Sequence, residues 1–184
     1  TVILTAHHDH MGVLNGHIYH GADDNASGIA GILGVARAMV KGGVPPKRSV
    51  LFIAYDGEER IFLGSYFYIT HPVVPLADTV AAINLDMIGR DENDPNWPLP
   101  ADRNTNMVNV LGTRYNPALR RIIDTQNQQE GLKLDYKMDL VDPDSLWSRS
   151  DHFWFASLHI PQVEFQTGLH PDYHTENDTW DRIN

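Results

Sequence analysis

Five short clusters of histidine and acidic residues stand out in the sequence, because these side chains bind metal ions and transfer protons. They are AHHDH at 6–10, GADDNASG at 21–28, DGEE at 56–59, NLDM at 84–87 and GLHPDYHTEND at 168–178. Each alone has an ordinary structural interpretation; Asp23 and Asp24, for example, could cap a helix. Together they indicate a cation site, since acidic groups crowded at one place raise each other's pKa values unless a cation is bound.

The elements that must position these clusters alternate along the chain. Apolar runs predict strands at 2–6, 49–55, 80–85, 107–111 and 162–165, and helical patterns cover 25–40, 61–70, 117–130 and 151–157. Asn15-Gly16 predicts a hairpin between 11–14 and 17–19. The alternation predicts an α/β fold whose central sheet is mostly parallel, though mixed, and is covered by helices on both faces.

Three of the clusters follow predicted strands directly. His7 comes after the first strand, Glu58 and Glu59 after the second, and Asp86 ends the third. In an open α/β sheet the carboxyl ends of the strands form the ligand crevice. We therefore expect these distant segments to converge on one site.

The residue types in this crevice suit two divalent ions. One histidine and one carboxylate for each ion, plus a bridging carboxylate, are supplied by His7, Asp86, His174, Glu59 and Asp23. The chain has no cysteine, so thiolate sites are excluded, and imidazole with carboxylate suits zinc, with cobalt or manganese as substitutes. Glu58 is the expected general base, and Asp9 is expected to hold His7 from behind.

Length and composition bound the remaining possibilities. The chain has 184 residues, 42% of them hydrophobic, which predicts one folded domain over 1–184. Its net charge of −10 argues against nucleic acid and anionic membrane partners, and no apolar run is long enough to span a bilayer. The proline- and asparagine-rich stretch 91–106 predicts a long surface loop.

The order of the five clusters, together with SDH at 150–152, resembles the M28 family of zinc aminopeptidases. The resemblance runs from residue 5 to about residue 180 and implies a zinc-exopeptidase-like fold, lacking flanking parts of the sheet at both ends. It implies that His7 and Asp86 bind one zinc, that Glu59 and His174 bind the other, and that Asp23 bridges them. Glu58 would be the proton shuttle, and Asp9 the partner of the second ring nitrogen of His7.

The resemblance also implies an activity, namely removal of the N-terminal residue from peptides by a metal-activated hydroxide. A cationic amino terminus suits the acidic crevice of a protein with this net charge. A cis peptide is expected at Asp23–Asp24. The resemblance leaves the role of Ser150, Asp151 and His152 open, with a helix cap at Ser150 as the alternative, and it implies export to the periplasm or medium.

Other functions stay open at this point. A glutamate-carboxypeptidase-like peptidase would share the metal ligands but needs arginines to clamp a substrate carboxylate, and Arg90 and Arg149 are available. Some relatives keep one zinc and cyclise N-terminal glutamine, although the complete ligand set argues against that reaction. Others have lost their metals and serve as receptors or scaffolds.

Overall fold

The computed structural model describes residues 1–94, 106–142 and 144–184. The strands in these ranges are β1 Val2–His7, β2 Gly12–Leu14, β3 His17–Tyr19, β4 Val50–Tyr55, β5 Ala81–Leu85, β6 Met107–Leu111, β7 Lys133–Asp135 and β8 Gln162–Gln166. The main sheet has the order β4-β1-β5-β8-β6-β7, and β2 pairs with β3 as the expected hairpin. The main sheet is parallel except at the β6–β8 pair, which is antiparallel.

Four helices of the described ranges connect the strands. They are α1 Gly28–Gly42, α2 Leu63–Thr70, α3 Pro117–Glu130 and α4 His152–Ser157. The bounds of α3 follow from its end residues, because the Asn116 side chain accepts from the Leu119 N–H and Gly131 ends the helix in a left-handed conformation. None of the helices in the described ranges is both long and apolar enough to cross a membrane.

Alternate side chains of β1 separate the core into two layers. On one face Ile3 packs with Tyr55, Tyr68 of α2 and Phe155 of α4. On the other face Leu4 and Ala6 pack with α1. Helices therefore cover both faces, which confirms the predicted α/β fold with a mostly parallel mixed sheet.

The register of the parallel strands determines where along the sheet the site lies. His7 pairs with Tyr55 of β4, and Thr5 pairs with Asn84 of β5. The residues just after Tyr55 and Leu85 therefore emerge beside His7 at the carboxyl edge of the sheet. Of the loop predicted at 91–106, residues 95–105 lie outside the described ranges.

The core on the α2 and α4 face gives a stability prediction. Phe155 is fully buried, with its ring centroid 6.1 Å from that of Tyr68. Phe155→Ala should lower the free energy of unfolding by about 3–5 kcal/mol, since it removes a large buried ring and leaves a cavity. Urea denaturation measures this loss, with Phe67→Ala on the exposed side of α2 as the control. Equal losses in the two variants would contradict the packing described.

Candidate metal centre

One group of ligand atoms gathers around the end of β1. His7 Nε2 lies 3.3 Å from Asp24 Oδ1 and 3.4 Å from Asp86 Oδ1. Glu58 is close by, with its Oε2 atom 3.9 Å from the same nitrogen. All four side chains are buried. The structure thus brings together His7, Glu58 and Asp86, as the sequence predicted.

A second group lies on the other side of Asp24. His174 Nε2 is 3.0 Å from Asp24 Oδ2 and 3.3 Å from Glu59 Oε2. His10 joins this group, with its Nδ1 atom 2.8 Å from Glu59 Oε1. Glu59 and His174 were predicted as a pair. His10 was not, although it stands in the AHHDH cluster.

Asp24, and not Asp23, lies between the two groups. One oxygen of Asp24 faces His7 and the other faces His174. Asp23 points elsewhere, because its Oδ1 accepts from the Gly89 N–H at 2.7 Å and its Oδ2 lies 3.2 Å from His170 Nε2. The expected bridging position of Asp23 was therefore wrong by one residue. Asp23 instead fixes the loop that follows Asp86.

The backbone of this loop shows the same offset. The cis peptide lies at Asp24–Asn25, and the expectation for Asp23–Asp24 was wrong. Asp178, which is fully buried, accepts from the N–H groups of both Asp23 and Asp24 at 3.0–3.1 Å. Neither Asp23 nor Asp24 caps α1, whose flanking residue is Ser27.

Asp9 supports both groups through the backbone. The His7 Nδ1 atom lies 3.1 Å from the main-chain oxygen of Asp9 and 3.7 Å from its carboxylate. The carboxylate accepts instead from the N–H groups of Glu58 at 3.1 Å and Glu59 at 3.3 Å. Asp9 thus meets the second ring nitrogen of His7 most closely through its main-chain oxygen, and its carboxylate holds the turn that carries the two glutamates.

Ser150 has a role that the sequence left open. Its hydroxyl donates to Asp86 Oδ2 at 2.6 Å and accepts from the Asn84 amide at 2.7 Å. The Thr5 hydroxyl donates in turn to the side-chain oxygen Oδ1 of Asn84 at 2.8 Å. This buried series of hydrogen bonds fixes one oxygen of Asp86 and leaves the other facing His7. A cap at Ser150 was the wrong alternative, because α4 begins after Asp151.

Unpaired atoms show that the cluster fits metal ions. Within the described ranges, His7 Nε2 and Asp86 Oδ1 are buried and lack a hydrogen-bond partner. The same holds for His10 Nδ1 and Glu59 Oε1 in the second group. Buried polar atoms are normally paired, so such atoms need an explanation. Imidazole and carboxylate together suit zinc, which would satisfy them.

The pKa values report an excess of negative charge in the metal-free cluster. Burial, together with the negative charge of Asp86, raises the pKa of Glu58 to about 10. Burial opposes protonation of His174, yet Asp24 and Glu59 raise its pKa to about 9. The pKa of His7 is raised as well, because Asp86 and Asp24 outweigh its burial. Without metal, protons on Glu58, His174 and His7 therefore offset negative charge that bound cations would otherwise balance.

A pH dependence of the metal-free protein follows. Glu58, His174 and Asp151, whose pKa burial raises to about 7, all bind protons more tightly in the folded state than in the unfolded state. Stability should therefore fall as pH rises from 6 to 9. Zinc should reduce this dependence, since it replaces the protons. Calorimetry with and without chelator measures both effects, and a Tm that rises with pH in chelator would contradict the charge balance described.

Similarity to known proteins identifies the family of this chain. The sequence model of Peptidase family M28 matches residues 1–184. Aminopeptidase YwaD of Bacillus subtilis is 29% identical over 189 residues, which cover 99% of this chain and 36% of that protein. Probable glutamate carboxypeptidase VP8 of Zea mays is 28% identical over 171 residues, which cover 88% of this chain and 23% of that protein.

A solved structure agrees with the family match. The structure of BSAP, a zinc aminopeptidase from Bacillus subtilis, superposes with a TM-score of 0.73 at 25% identity, covering 100% of this chain and 41% of that chain. The chain therefore spans less than half the length of these three relatives. Since the family model matches from the first residue to the last, the chain belongs to peptidase family M28.

Proposed function

We propose that this chain forms the active site of a two-zinc aminopeptidase that removes the N-terminal residue from peptides. The observation that carries the proposal is the pair of ligand groups on either side of Asp24, in which His7 Nε2, Asp86 Oδ1 and Glu59 Oε1 are buried without a hydrogen-bond partner in the described residues. Membership of a peptidase family supplies the class of bond attacked. The names of the aminopeptidase relatives support the choice of substrate end.

The two ligand groups support one assignment of residues to two zinc positions. His7 and Asp86 would hold the first ion, and Glu59 and His174 the second. Asp24 would contribute one carboxylate oxygen to each. When bound, such a pair polarises a carbonyl and lowers the pKa of water toward neutrality.

Glu58 is placed to move the proton of that water. Its carboxylate is buried beside His7 and lines the same pocket as Asp24 and Asp86. A carboxylate there would accept a proton from the attacking water and pass it to the leaving amine. Zinc at the two positions would lower the pKa of Glu58 and so favour its ionised form.

The pocket beside the cluster has both apolar and acidic walls. Met87, Leu146 and Leu169 supply the apolar part, against which the first side chain of a peptide would lie. The carboxylates at its edge would attract the cationic amino group.

One of the two arginines considered for a carboxypeptidase is already paired within the protein. Arg90 donates to Asp172 Oδ2 at 2.9 Å, and Arg182 donates to the same oxygen. Arg90 is therefore committed to a structural ion pair. Arg149 lines the pocket and is bonded to Tyr173, so it is the remaining candidate for a carboxylate clamp.

Metal content and substrate preference test the proposal together. The purified chain should hold about two zinc ions by mass spectrometry, and it should release p-nitroaniline from unblocked amino acid p-nitroanilides. Chelator should abolish the release, and acetylation of the substrate amine should prevent it.

The other outcomes separate the alternatives. Cleavage of N-blocked peptides ending in glutamate, without cleavage of the p-nitroanilides, would favour the carboxypeptidase function. Two bound zinc ions without hydrolysis of any substrate would overturn the catalytic proposal for this chain. Absence of bound zinc after reconstitution would favour the metal-free receptor or scaffold class.

A further inference from the structure

His10 is a buried side chain without an assigned purpose. It has 7% side-chain exposure, and neither of its ring nitrogens has a hydrogen-bond partner in the described part of the chain. Burying two unpaired imidazole nitrogens costs free energy. Their position beside Glu59 and His174 calls for an explanation specific to this site.

The contact between His10 and Glu59 is close without being a hydrogen bond. Nδ1 of His10 lies 2.8 Å from Oε1 of Glu59, within ion-pair distance, yet neither atom has a partner with hydrogen-bond geometry in the described residues. Two ligands of one metal ion lie in this way, because the lone pairs of both atoms point toward the ion and not toward each other. His10 Nδ1 also lies 3.8 Å from Asp24 Oδ2, on the side of Asp24 that faces His174.

We propose that His10 Nδ1 is an additional protein ligand of the second zinc position, an inference that rests on the proposed two-zinc function. The second ion then has four protein ligands, which are His10, Glu59, His174 and Asp24. The first has three, which are His7, Asp86 and Asp24.

This asymmetry assigns different properties to the two positions. A zinc with four protein ligands is a closed site, whereas three protein ligands leave a position open for water or substrate. The second ion should therefore bind more tightly and load first. The first ion, beside Glu58, should exchange more readily and keep the open position.

Space for the His10 ring depends on Gly21. A Cβ atom on Gly21 would lie 2.5 Å from Cγ of His10 and 2.4 Å from the main-chain oxygen of Asp24. Gly21 also has a φ of +64°, which favours glycine. The residue that begins the Asp24 loop thus leaves room for His10 next to the second position.

Proton NMR of the cobalt-substituted protein tests the inference without measuring activity. A histidine bound to cobalt through one nitrogen keeps a proton on the other, and that proton is strongly shifted and exchanges with solvent. The wild type should show one such signal for each of His7, His10 and His174. His10→Ala should lose one signal and bind the tighter zinc more weakly by about 100-fold or more, measured by competition with a chelator.

Matched variants and the wild type keep the test decisive. His8→Ala, at an exposed neighbouring histidine, should behave as wild type. His10→Gln fills the cavity and should lose the same signal if His10→Ala does not fold. Two bound cobalt ions with signals from only two histidines in the wild type would overturn this inference and leave the proposed function intact. Failure of the wild type to bind two ions would overturn both.

Discussion

Glu58→Gln should reduce kcat by about 10⁴-fold or more while both zinc ions stay bound. The amide has nearly the same shape as the carboxylate but cannot accept a proton from water, and general base catalysis contributes roughly 10²–10⁴-fold by itself. Glu58 also lies within the ligand cluster, where it would orient the water. Steady-state hydrolysis of an unblocked p-nitroanilide, with zinc content measured on the same sample, checks both parts of this result.

The controls separate base catalysis from metal binding. Glu130→Gln changes an exposed glutamate at the end of α3 and should leave kcat and zinc content unchanged. Glu58→Asp keeps a carboxylate on a shorter side chain, and its activity should lie between wild type and Glu58→Gln. A Glu58→Gln variant with more than about a tenth of wild-type kcat would show that another group accepts the proton.

Asp24→Asn should weaken both zinc positions, and its effect on metal binding should exceed that of a change at any other single ligand. Each oxygen of Asp24 faces a different histidine, so the substitution removes a charge that the two proposed ions would share. We expect each zinc affinity to fall by more than about 100-fold, and hydrolysis to fall with them. Equilibrium dialysis against a zinc buffer measures the two affinities directly.

Asp23→Asn is the matched control, since the two residues are adjacent, acidic and buried. The amide keeps an oxygen that can accept from the Gly89 N–H, and the two contacts of the Asp23 carboxylate, with Gly89 and His170, both lie outside the two ligand groups. Its zinc affinities should stay near those of the wild type. The reverse result, with binding lost in Asp23→Asn and kept in Asp24→Asn, would restore the original expectation from the sequence.

The difference between Asp23 and Asp24 shows why the sequence alone could not identify every residue of the site. Side chains on a strand alternate between two faces, so the ends of β1 and β5 could be placed from the pattern of apolar residues. Asp24 lies in an irregular turn over Ala22–Ser27 that has no such period. The direction of each carboxylate there depends on Asp178 and Gly89, which are far away in the chain.

Distance along the chain also explains the other omissions. The bond from Ser150 to Asp86 joins residues 64 positions apart, and no local pattern encodes it. His10 follows the last residue of β1, where strand alternation no longer applies. Strand β7 was missed because its three residues carry no clear apolar alternation. The long strands and α3 were predicted well, since apolar runs and end residues define them locally.

The role of Asp178 in holding the Asp24 loop has a consequence for the order of events during synthesis. A ribosome adds roughly 5–20 residues per second, so the stretch from Asp86 to Asp178 takes roughly 5–18 s. Throughout that interval the nascent chain carries His7, Glu59 and Asp86, but the loop of Asp24 has no carboxylate to receive its N–H groups. The proposed second zinc position would need both His174 and Asp178, so it could be completed only after these two residues have been synthesised, well after His7, Glu59 and Asp86.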